Sequence, residues 1–119
     1  MLDVLSYVNE RKASIKRHVE LLKNKGKRVP RLAIVTDDRN FSANQSYIKS
    51  KTQFAMEVGI GCDVIVLKEN EKFISNADDY DGIIVQFPFR NYSFAQFQMY
   101  VTEHVPPMKD VDGIGKHSL

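Results

Sequence analysis

The sequence predicts an α/β fold, three-layer α/β/α with a mostly parallel sheet of about four strands. Three observations carry this. Apolar-rich runs at 32–35, 63–67 and 82–87 read as strands, and the unbroken run at 32–35 reads as one buried on both faces, the kind that parallel sheets use. They alternate with longer segments of helical period. The 119 residues, 43% apolar and 27% charged, match the usage of one ordinary globular domain, with no repeat and no low-complexity stretch.

The elements follow in order. Leu5, Val8, Ile15, Val19 and Leu22 draw one stripe down a helix over 2–22, which Asp3 can cap. Gly26 is placed for the left-handed position past its end, and Lys23, Lys25, Lys27 and Arg28 lie where cations favour the helix dipole. Pro30 opens the first strand, Leu32-Ala33-Ile34-Val35, which halts at Thr36-Asp37-Asp38. After a polar loop at 39–44, a second helix is predicted over about 43–58, closed by Gly59. Residues 68–81, between the second and third strands, are near the minimum for a parallel crossover and carry a weak helical pattern at Phe73, Ile74 and Ala77. Ser93 and Gln96 form an S-x-x-Q capping box for a third long helix running to about His104. Pro106-Pro107 stop it, and 109–113 read as a turn into a short edge strand or loop.

Composition excludes several functions. Seventeen Lys+Arg against fifteen Asp+Glu leave a charge of +2, too small for the phosphate-neutralising field of nucleic-acid binding. No run approaches the roughly 18 apolar residues of a membrane span, and the N-terminus lacks a secretory apolar region. The lone Cys62 cannot form an internal disulfide. A reduced, cytoplasmic setting is the expectation. His18, His104 and His117 offer no pair at helical metal-ligand spacing, so no metal is expected.

Ligands in such folds sit beyond the carboxyl ends of the strands, which directs attention to 36–38, Lys68, 86–90 and 110–113. Lys51 shares an apolar stripe with Tyr47, Phe54 and Val58 on the second helix. Its stem could cover apolar surface while the ammonium reaches water, or it could serve proton transfer in a partly desolvated cleft. Gln86 ends the most apolar strand, just before Phe87 and Pro88, where a buried amide needs partners. Asp112, in Asp110-Val111-Asp112-Gly113, could be a simple turn residue.

Taken together, Tyr47-Ile48-Lys49-Ser50-Lys51 before Glu57-Val58-Gly59-Ile60, then Asp81-Gly82-Ile83-Ile84-Val85-Gln86-Phe87-Pro88-Phe89, then Pro107-Met108-Lys109-Asp110-Val111-Asp112-Gly113, resemble another set of motifs. They are similar in type and order to the catalytic domain of bifunctional methylenetetrahydrofolate dehydrogenase/cyclohydrolase, over about residues 30–113. The resemblance implies that Tyr47 packs against folate, Lys51 is the acid/base and electrostatic centre, Gln86 orients Lys51, and Asp112 hydrogen-bonds the pterin ring. Phe87 and Pro88 join Tyr47, Lys51, Gln86 and Asp112 in the implied substrate site. The implied activity is hydrolysis of 5,10-methenyltetrahydrofolate to 10-formyltetrahydrofolate, in one-carbon folate metabolism.

The sequence also departs from that family. An NADP-binding Rossmann domain follows the aspartate turn there; here the chain reads as a single domain over 1–119 without a glycine-rich dinucleotide loop. Dehydrogenase activity is therefore expected only if another chain supplies the cofactor domain, and a homodimer or partner is expected to cover the exposed surface. The loop before Tyr47 is longer, Thr36 replaces a common glycine, 68–81 is shorter, and Phe87, Phe89 and Arg90 replace the usual leucines and proline. A phosphoacceptor receiver is disfavoured because the third strand ends in Gln86-Phe87-Pro88 rather than an acceptor aspartate. The alternative is a non-catalytic reduced-folate-binding or protein-interaction module.

Overall fold

The computed structural model describes residues 4–115, with side-chain surroundings from residue 9 onward. The expected cap Asp3 and the tail with His117 lie outside the described residues, as do the surroundings of Leu5 and Val8. Helix α1 spans Val4–Asn24, β1 Arg31–Asp37, α2 Phe41–Val58, β2 Gly61–Leu67, β3 Gly82–Val85 and α3 Phe94–His104. The sheet is parallel throughout, in the order β2-β1-β3.

Each helix ends as its local chemistry dictates. Gly26, at φ 70°, donates to the Lys23 carbonyl while Lys27 reaches back to Leu22, the paired bonds of a Schellman stop. Gly59, at φ 85°, closes α2 by donating to Ala55 and Met56. At α3 both halves of the capping box form: Gln96 N–H donates to Ser93 Oγ at 3.2 Å and Ser93 N–H to Gln96 Oε1 at 2.8 Å.

Alternation along the strands builds the layers. Ala33, Val35, Ile83 and Val85 face Phe89, Phe97, Tyr100, Val101 and Val105, the core under α3. Ile34, Thr36 and Ile84 turn to the opposite face, toward α2 with its buried Asn44, Ile48, Ala55 and Val58. Helix α1 lies outside α2, joined by the 2.8 Å Lys12–Glu57 ion pair. The expected α/β/α order therefore stands.

Three expectations are corrected. The fourth strand is reduced to one parallel bridge, Ile83 to Asp110. Pro106 and Pro107 bring no N–H to a ladder, and the Asp110 carboxylate accepts from the Ile114 and Gly115 N–H groups, curling the chain away. The short helix within 68–81 is only a 3-10 turn at Ala77–Asp79. Phe73, Ile74 and Ala77 pack individually against the core instead of forming a helical stripe. Strand β3 also stops at Val85 rather than Phe87, since Pro88 has no N–H to extend the ladder.

The core predicts an alkaline limit. Tyr100 is buried against Phe89 at 4.9 Å between ring centroids, and its hydroxyl donates to the Lys72 carbonyl. Burial, the largest cause, pushes the phenol up to about 12. The native state thus holds a proton that the unfolded chain releases near pH 10, so this stabilisation is whole below pH 10 and fades as pH rises toward 12. Urea titrations at pH 8, 10 and 11.5 should show stability falling only across the last interval, by an amount that Tyr100→Phe reduces.

Candidate active site

Helix α2 carries Tyr47 and Lys51 one turn apart, and β3 delivers Gln86 at its carboxyl end. Lys51 Nζ donates to Gln86 Oε1 at 2.6 Å. An ammonium can only donate, so the amide oxygen must face Lys51. Gln86 Nε2 then donates to the Phe87 carbonyl at 3.1 Å, which locks that orientation. Asp112 Oδ2 lies 3.6 Å from Lys51 Nζ. The lysine side chain is 30% exposed and the aspartate 37%, so the ion pair is open to solvent on one side.

The turn bearing Asp112 is docked by close contact. Val111 Cγ2 would lie 2.7 Å from a Cβ added at Gly82, so only glycine admits this approach. Val111 N–H also donates to the Ile83 carbonyl at 3.5 Å. Behind Lys51 runs an apolar groove of about 540 Å³, with Leu32, Phe54, Ile84 and Val111 in its walls. Its apolar walls flank Lys51 on one side.

Of the residues singled out in the sequence, Lys51, Gln86 and Asp112 converge directly. Tyr47 stands at the rim, 59% exposed, with its ring available to a ligand. Phe87 does not join them through its ring, which packs on Phe94 and Phe97 at 5.5 and 5.1 Å; its carbonyl is the part that serves the cluster. Pro88 contributes a carbonyl to Asn44. Of the paired aspartates, Asp37 is buried and accepts from Arg90 N–H and Asn40 Nδ2, and both Asp37 and Asp38 line a separate charged cavity with Arg39, Lys68 and Glu69. Burial pushes the Cys62 thiol up, away from nucleophilic use.

Sequence reading missed Asn44. It lies three residues before Tyr47 and seven before Lys51, on their stripe, but was assigned to the polar loop at the helix start. It is fully buried, and Nδ2 donates to Thr36 Oγ1 at 3.1 Å and to the Pro88 carbonyl at 2.8 Å. Among the described residues its buried Oδ1 has no partner, a cost of about 1–3 kcal/mol.

Fold and cluster together define a class: an α/β domain with a lysine held between an amide and a carboxylate at the carboxyl edge of a parallel sheet. The sequence matches the model for the tetrahydrofolate dehydrogenase/cyclohydrolase catalytic domain over residues 2–112, and the chain belongs to that family. The bifunctional protein FolD of Staphylococcus carnosus is 32% identical over 128 residues, spanning all of this chain and 43% of that protein. FolD of Legionella pneumophila is 30% identical over 118 residues, spanning 92% and 40%. Among solved structures, FolD methylenetetrahydrofolate dehydrogenase/cyclohydrolase from Campylobacter jejuni superposes with a TM-score of 0.73 at 27% identity, covering 95% of this chain and 42% of that one. A 5,10-methylenetetrahydrofolate dehydrogenase from the silkworm Bombyx mori shares the fold, with a TM-score of 0.76 at 22% identity over 95% of this chain and 41% of that one. The chain thus spans about two fifths of the length of these relatives. Among the described residues, no helix is long and apolar enough to cross a membrane.

Proposed function

We propose that this domain hydrolyses 5,10-methenyltetrahydrofolate to 10-formyltetrahydrofolate. The observation that carries the reading is the 2.6 Å contact between Lys51 Nζ and Gln86 Oε1 beside an exposed tyrosine. Water adds to the cationic bridge carbon and loses a proton; as the carbon–N5 bond breaks, the new hydroxyl gives up its proton to become the formyl carbonyl and N5 takes up a proton, so that one proton is released overall. Lys51 moves those protons, and Gln86 holds it without introducing a competing charge. Asp112 accepts N–H bonds from the aminopyrimidinone edge, and Tyr47 covers the neighbouring ring.

We infer further that the chain itself holds no dinucleotide. The β1–α2 connection, where such folds seat a pyrophosphate, presents Asp37 and Asp38 and no glycine-rich turn. Those residues do not fit a pyrophosphate, so hydride transfer is assigned to a cofactor domain outside residues 4–115. A second reading, a folate-binding module that works with a partner chain, is favoured by the exposure of Met108 and Val111 next to Asp112.

Loss of methenyltetrahydrofolate absorbance, measured over the spontaneous background, separates the two. Acceleration by the purified protein supports the hydrolase; reduced-folate binding without acceleration overturns it in favour of the module. Gln86→Glu sharpens the test. A carboxylate at that place favours the charged ammonium, so the hydrolysis rate at neutral pH should fall at least about tenfold and the pH optimum should move upward.

A further inference from the structure

We propose that Asn44 is a positioning residue for the Lys51 centre, setting Gln86 against the lysine by tying the turn after β3 to helix α2. This rests on the proposed function only for its kinetic consequence; the geometric claim is independent of turnover.

Lys51 and Gln86 belong to different layers, and nothing within α2 dictates where the end of β3 will lie. Asn44 bridges the gap. Its Nδ2 reaches the Pro88 carbonyl at 2.8 Å, two residues beyond Gln86, and Thr36 Oγ1 at the end of β1 at 3.1 Å. One amide thus joins α2, β1 and the 86–88 turn, one helical turn from Tyr47 and two from Lys51. The amide cannot be reversed without setting oxygen against the Pro88 carbonyl, which only accepts. Its own Oδ1 then stays buried, without a partner among the described residues. An apolar residue would fill the site without that penalty, so the amide's distinctive contribution is the pair of bonds it donates.

The far side of the turn has its own tether. Asn40 Nδ2 donates to the Arg90 carbonyl at 3.0 Å and to Asp37 Oδ1 at 2.8 Å, while Asp37 Oδ2 accepts from Arg90 N–H at 3.1 Å. These bonds act at Arg90, four residues past Gln86, so Asn44 is the nearer control over the amide that touches Lys51.

The test uses the whole 119-residue chain. In the unmutated protein, a through-hydrogen-bond NMR coupling should connect Asn44 Nδ2 to the Pro88 carbonyl carbon, with the side-chain protons protected from exchange. Their free exchange without coupling overturns the proposal, even if every variant fails to fold. Next, the Gln86 side-chain amide resonances are compared with and without Lys51→Met, in the native, Asn44→Leu and Asn44→Ala backgrounds. The lysine substitution should shift them in the native background and leave them nearly unmoved in folded Asn44 variants. An equal shift in all three backgrounds overturns the role.

Kinetically, hydrolysis in those variants should lose about tenfold in kcat with KM within about twofold. A rise in KM alone, with kcat kept, also overturns it. If the native protein shows no hydrolysis, the functional reading fails, while the NMR comparison still decides the role of Asn44.

Discussion

Lys51→Met is expected to lower methenyltetrahydrofolate hydrolysis by at least about a hundredfold, the lower end of what a positioned acid/base group contributes. Methionine keeps an unbranched apolar stem along Phe54 and the groove wall but removes the ammonium that Gln86 Oε1 meets at 2.6 Å and Asp112 at 3.6 Å. The side chain is partly open to water and its ion pair is solvent-screened, so the thermal midpoint should move by only a few degrees. Rate and thermal melting are therefore measured on the same samples. A large rate loss at an unchanged midpoint locates the effect in the chemistry; an unchanged rate removes Lys51 from it.

The largest stability effect is expected at the opposite face of the sheet. Phe97 is 1% exposed, and its ring centroid lies 5.1 Å from that of Phe87, 6.2 Å from Phe89 and 6.1 Å from Phe94. Truncating it should destabilise the domain by about 3–5 kcal/mol, lost burial plus the cavity left behind. That is a large share of the roughly 5–15 kcal/mol that holds a native domain together. Phe94, 52% exposed at the start of α3, provides the contrast, and its alanine variant should lose less than about 1 kcal/mol. Urea titrations of the two variants check the difference. Comparable losses would mean that the cluster under α3 is not the packed core.

The same contrast between local and long-range determinants explains what could be read in advance. Helix ends were legible because their signals are local. Ser93 and Gln96 satisfy each other's backbone within one turn, and Gly26 and Gly59 take left-handed conformations that other residues resist. Strands β1 and β3 were legible because burial demands apolar runs, whereas β2 lies at the sheet edge with only Leu67 buried and was legible from its β-branched residues rather than from two-sided burial. The fourth strand was misjudged because Asp110, read as a turn residue, spends its carboxylate on the next backbone groups and leaves only one bridge to Ile83. Chain position next to Gln86 does not say which way the Phe87 ring turns, and the aromatic cluster under α3 decided that.

Tyr47 and Asp112 entered through the family resemblance; the sequence by itself determined the order of elements, the alternation that makes the sheet parallel, and the standing of Lys51 and Gln86 as polar residues in apolar settings. Those properties follow from spacing, capping and burial pattern over a few residues, where the physics is short-range. Only the tertiary structure decided that Lys51 meets a glutamine 35 positions away, that Gly82 lets Val111 bring Asp112 alongside, and that Asn44 clamps α2 to the Pro88 turn. Each is a contact between layers. Its geometry depends on how the whole sheet and its helices pack, which no local pattern encodes.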